Sequence, residues 1–180
     1  MRRSNAGLFW PVLVLVTAID FCTKAVAANR LQIEGLPHGV FGDWMRFTLV
    51  HNPGAAFGLH VGEYSRYIFM VLTVIALFIL GRLYLATRVG DAIRVFALAL
   101  VCGGALGNLI DRIVSKPGVI DFIDIGMGDS RWPTFNVADM AVSIGAFLLA
   151  WVLWGEDAET ELVPVSTPTP ATVSVEPREL

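Results

Sequence analysis

Apolar residues run in four long blocks along this 180-residue chain, with polar stretches between them. A bilayer core calls for about 20 mostly apolar residues per helix. The blocks at 8–28, 67–86, 92–113 and 137–154 meet that length, and each predicts a transmembrane helix. A polar loop at 29–66 separates the first two blocks, and a second at 114–135 separates the last two. Inside these loops the period changes. "MRFTLVHN", starting at Met45, alternates in part. "VIDFIDI" sets Val119, Asp121, Ile123 and Ile125 against Ile120, Phe122 and Asp124. A period of two predicts strands. After Gly155 the pattern dissolves into an acidic stretch followed by Pro, Thr, Ser and Val, so 156–180 reads as a disordered cytoplasmic tail.

Composition agrees with the blocks. Residues are 55% hydrophobic and only 16% charged, and the mean hydropathy is +0.64. This excludes an ordinary soluble domain and indicates an integral membrane protein. No basic patch interleaved with aromatics suggests nucleic acid as a partner. Cys22 and Cys102 fall inside apolar blocks and read as small buried hydrophobes rather than a disulfide. Phe41, Trp44 and Phe47 in the first loop are expected at the membrane interface.

Charges refine the topology. Arg2-Arg3, an apolar run and Ala25-Val26-Ala27 have the form of a cleavable signal peptide. Asp20 and Lys24 interrupt that run. Spaced at i and i+4 with the acid first, they suit a helical ion pair, so the block reads as a retained helix with the pair turned toward other helices. Arg82, Arg88 and Arg94 crowd the short second connection, and the positive-inside rule then favours both termini on the inner side.

Several motifs carry polar groups at the ends of the blocks. "GGALGNLIDR" supplies Gly103, Gly104 and Gly107 for close helix packing. It then places Asn108, Asp111 and Arg112 on one helical face, where intramembrane polar groups point to function. "HNPGAAFG" contains a Pro53-Gly54 turn with Asn52 before it. His51 and His60 fit no common zinc spacing and read as solvated loop residues; no metal site is expected. "GMGD" at 126–129 matches the G-x-G-D of presenilin-type proteases, but it lies in a polar loop and reads as a glycine turn. "FNVAD" opens the fourth block. Asn136 can cap that helix and Asp139 sits at its third position. Asp139 also faces Asp121 and Asp124 from the second loop. Two acids brought together cannot both ionise cheaply, so one proton can be shared between them.

Five motifs in order ("DFCTK", "NPGAAFG", "GGALGNLIDR", "VIDFID" and "FNVAD") resemble those of the lipoprotein signal peptidases, the signal peptidase II family, over nearly all of the chain except the tail. The resemblance implies an all-α integral membrane protein with four transmembrane helices, a small extracytoplasmic β-cradle and a short interfacial helix. It implies a monomeric aspartic endopeptidase of the bacterial inner membrane, needing no cofactor. Surrounded by membrane lipids, it would cleave diacylglyceryl-modified prolipoproteins before the lipidated cysteine. By motif position Asp121 and Asp139 are the catalytic pair. Asn52, Asn108, Arg112 and Asn136 line the site, Asp111 holds Arg112 and the loops, and Asp20 and Lys24 are structural. Asp124 is a supporting loop residue. The rival reading is a small membrane transporter lined by the same polar residues, which would want them near the bilayer midplane.

Overall fold

Unbroken apolar stretches with their breaks at polar, Gly- or Pro-containing turns give four helices in the protein, described by a computed structural model over residues 4–54 and 62–162. They are α1 (Ala6–Leu31), α2 (Ser65–Ala86), α3 (Ala92–Val114) and α4 (Val137–Leu162). All four are long and apolar enough to cross a membrane. α4 outruns its expected end, so 156–162 are helical rather than part of an unstructured tail. That segment holds good helix formers and meets no proline before Pro164. Residues 163–180 lie outside the described residues.

The first and second loops build one antiparallel sheet in the order β1-β2-β3-β4, with β1 at Pro37–Phe41, β2 at Met45–Asn52, β3 at Val119–Met127 and β4 at Ser130–Arg131. The two alternating segments are therefore the central strands. Bulges interrupt both the β1–β2 and the β2–β3 pairings. The "GMGD" segment is the β3–β4 turn, with Gly128 at φ 53° and Asp129 exposed. The other short element among the described residues is a 3₁₀ turn at Gly62–Tyr64. Residues 55–61, which include His60 and part of the "NPGAAFG" motif, lie outside the described residues.

α3 is the hub and touches each of the other three helices. At one end Phe9, Val95, Leu98, Ala99 and Cys102 form an apolar core, with the Phe9 and Tyr84 rings stacked at 3.9 Å. The Asn5 side chain pins this end: its amide donates to the carbonyls of Thr87 and Arg88, and Gly90 N donates to its Oδ1. At the other end the cradle seats on α1 through Ala27, Leu31, Leu49 and Phe122. Phe47 joins that cluster, 6.0 Å from Phe122. Strand alternation turns it inward and leaves it half-buried, while Phe41 and Trp44 stay exposed.

Candidate active site at the cradle end

Asn136 precedes α4 and closes its first turn reciprocally with Asp139. Asp139 N donates to Asn136 Oδ1 at 3.0 Å, and Asn136 N donates to Asp139 Oδ2 at 3.1 Å. This is a capping box with Asn and Asp in place of Ser and Glu. The helix-capping reading of "FNVAD" and its site reading therefore describe the same bonds. Asn136 is fully buried. Its side-chain Nδ2 donates to Asp121 Oδ1 at 2.6 Å, to Asn108 Oδ1 at 3.1 Å and to the Ile120 carbonyl at 3.3 Å. One amide thus joins the two carboxyl-bearing segments, β3 and α4.

Strand geometry selects Asp121 over Asp124. Side chains alternate faces along β3, and an odd spacing puts the two acids on opposite sides. Asp121 faces Asn136 and also accepts from Asn52 Nδ2 at 3.2 Å. Asp124 faces away. There it accepts from Thr48 Oγ1 at 3.1 Å and Arg131 Nε at 2.8 Å, tying β2 to the β3–β4 hairpin. Asn52 reaches Asp121 because the β2 end lies against the start of β3. At Gly118, with φ 121°, a Cβ would collide with the Asn52 carbonyl, so only glycine allows that approach.

Asp121 is 3% exposed. Burial pushes its carboxyl up to about 7, and the neighbouring Asp139 charge adds to the rise, against the lowering effect of Asn52, Asn136 and Lys24. A carboxyl so placed holds its proton through mildly acid conditions.

Asn108 on α3 presents Nδ2 to Asp139 Oδ1 at 2.8 Å. Arg112, one turn on, donates to the Asn108 carbonyl at 3.1 Å and lies over the Phe69 ring at 5.6 Å. Its Nε is buried with no hydrogen-bond partner, leaving donor capacity beside the pair. Asp111 corrects the expectation that it holds Arg112. Adjacent helical residues point apart, and Asp111 instead accepts from Lys24 at 2.8 Å and from Ile120 N at 3.3 Å. That second bond ties α3 to the start of β3. The Asp20–Lys24 pair forms at 2.7 Å, wholly buried. Asp20 also accepts from Ala138 N at 2.9 Å, capping α4 from α1.

Two contacts at this end had no signal in the sequence. Glu34 accepts from the His51 backbone and faces its ring nitrogen at 3.2 Å, which lowers the Glu34 carboxyl. Arg66 Nε donates to the Arg112 carbonyl at 2.6 Å, clamping the end of α3 to the start of α2.

The fold and this cluster define a multi-pass membrane protein with two acids, one buried and one half-buried, linked through Asn136 at one end of a helical bundle. Residues 12–155 match the sequence family described as signal peptidase (SPase) II. The chain is 40% identical over 146 residues to the "Lipoprotein signal peptidase" of Syntrophus aciditrophicus (strain SB), covering 79% of this chain and 89% of that one. It is 40% identical over 147 residues to the protein of the same name from Moorella thermoacetica, covering 81% and 91%. Two solved structures, each titled a bacterial membrane enzyme determined by the in meso method, share the fold. One superposes with a TM-score of 0.76 at 28% identity over 88% of this chain and 94% of that one. The other gives 0.71 at 31% identity over 82% and 92%. The chain belongs to the signal peptidase II family, and that membership leaves the transporter reading without support.

Proposed function

We propose that the protein is an aspartic endopeptidase that removes signal peptides from diacylglyceryl-modified prolipoproteins, cutting before the lipidated cysteine. The observation that carries this reading is the joining of Asp121 and Asp139 through buried Asn136. We assign the proton shared by the pair to Asp121, which is buried where Asp139 is half-buried. Asp139 acts as the base and takes a proton from water, which attacks the scissile carbonyl. Asp121 hydrogen-bonds the carbonyl oxygen as charge develops there. The two titrate as a coupled pair. Asn52 and Asn108 hold the carboxylates, and the spare donor capacity of Arg112 suits a substrate carbonyl. Asp111 braces the loop through Ile120 N.

The site lies at one end of the bundle, which suits a scissile bond held near the headgroups by a lipid-anchored cysteine. With both termini on the cytoplasmic side, the cradle faces the extracytoplasmic side. The test is cleavage of one prolipoprotein with and without its diacylglyceryl group, with products identified by mass. Acyl chains anchor the peptide at about 0.8 kcal/mol per buried CH₂, so the lipidated form should be cut far faster, immediately before the modified cysteine. Equal rates for both forms would contradict the reading.

A further inference from the structure

Lys24 is the largest fully buried side chain of the molecule's described residues, 2% exposed. An ammonium has three N–H donors and no acceptor. That of Lys24 forms ion pairs with Asp20 Oδ2 at 2.7 Å and Asp111 Oδ2 at 2.8 Å, and donates to Asn108 Oδ1 at 2.8 Å. Stapling α1 to α3 needs only the contact to Asp111, since Asp20 lies on α1 with Lys24. The third goes to the amide that touches Asp139.

We propose that Lys24 is a positioning residue for the carboxylate pair, fixing the Asn108 amide so that its NH₂ is presented to Asp139. This rests on the reading of Asp121 and Asp139 as the catalytic pair. A lysine can accept nothing, so it takes only the amide oxygen. The planar amide then turns Nδ2 to Asp139 Oδ1, at 2.8 Å. Reversing the amide would set NH₂ against the ammonium and oxygen against the carboxylate, both repulsive. Asn136 Nδ2 donates to the same Asn108 oxygen, which reinforces the orientation. The ammonium also acts from a second direction. It holds Asp20, which caps Ala138 N and so fixes the helical turn bearing Asp139. Close approach makes this possible: a Cβ at Gly107, next to Asn108, would strike Asp20.

Lys24 also acts on the pair through charge. Asp121 is faced by Asp139 from α4, by Lys24 from α1 and by Arg112 from α3, with Asp111 and Asp20 completing the cluster around the ammonium. The Lys24 charge favours ionised Asp121, so its removal should let Asp121 keep its proton to higher pH.

Lys24→Met alone leaves two buried carboxylates without a counter-charge and risks the fold. The deciding variant is therefore Lys24→Met/Asp20→Asn/Asp111→Asn, a neutral cluster of nearly the same shape. Full-length protein in detergent is assayed on a lipidated prolipoprotein, with melting temperature, KM, kcat and the pH profile of kcat all recorded. The expected result is a folded protein with KM near wild type and kcat lower by about 100-fold. A folded variant with wild-type kcat would reduce Lys24 to a staple and overturn the proposal. Should the triple variant fail to fold, Lys24→Arg decides. It keeps the charge, but its planar fork does not reproduce the ammonium's tetrahedral approach to Asp20, Asp111 and Asn108 together. The kcat should fall without a shift in its pH profile, and a wild-type rate would overturn the proposal. Asp139→Asn run alongside separates the two ideas: if it still turns over, the pair assignment fails rather than the role of Lys24.

Discussion

α2 and α3 cross the bundle with nearly equal lengths, 22 and 23 residues. Of α2 only Ser65 is buried, whereas α3 buries a stripe from Val95 to Asp111. Apolarity does not separate them, since in lipid an apolar side chain has equally good partners in protein and in acyl chains. What separates them is small and polar residues. A Cβ at Gly103 would press on the Leu13 carbonyl and Val16 of α1, and one at Gly104 on the Ala138 carbonyl and Val142 of α4. Glycine lets three backbones converge. Asn108, Asp111 and Arg112 then give that convergence its polar contacts. Gly81 of α2 meets nothing within 4 Å.

Enlarging Gly104 should break the comparison most severely. In Gly104→Val the new side chain meets the α4 backbone, which cannot yield without displacing Asp139. We expect loss of monodisperse protein on size exclusion in detergent and loss of cleavage.

A smaller effect should come from the polar end that α3 organises. Because the Asp121 carboxyl is raised from 3.8 to about 7 in the folded protein, its contribution to stability is full at low pH and is lost as pH rises through about 7. Melting temperature should therefore fall between about pH 4 and 7. Asp121→Asn should flatten that slope. A slope of opposite sign, or one unchanged by the substitution, would mean that Asp121 is not the group responsible.

Gly81→Ala should produce the smallest effect. With open space around it and a helical backbone, alanine should be neutral or stabilise by about 0.5–1 kcal/mol, with activity unchanged. A large loss at Gly81 would mean that α2 packs on something and would erase the contrast with α3.

The spans were legible because hydropathy over some twenty residues is a strong signal, and β2 and β3 because their alternation is partly kept. β1 was not: "PHGVF" is exposed throughout, so it carries no alternation and gains its strand only by pairing with β2. The polar residues themselves could be singled out, since acids and amides in apolar blocks are conspicuous. Their partners were less accessible. Asp20–Lys24 could be read from helical spacing, but the Lys24 contacts to Asp111 and Asn108 depend on how close α1 and α3 approach, which Gly107 sets. Periodicity also left Asp121 and Asp124 as alternatives. Only the register of β3 against α4 turned one toward Asn136 and the other toward Arg131.

The central claim is that Asp121 and Asp139 do the chemistry. The direct measurement is turnover of a lipidated prolipoprotein by purified Asp121→Asn and Asp139→Asn, each compared with wild type at equal folded amount and with and without a chelator. Asparagine keeps the hydrogen-bonded shape but can neither take up a proton as a base nor pass through the acid form. The account predicts no detectable cleavage by either variant, melting temperatures at or above wild type near neutral pH, and no effect of the chelator on wild type. Near wild-type turnover by Asp139→Asn, or a wild-type reaction stopped by the chelator, would contradict it.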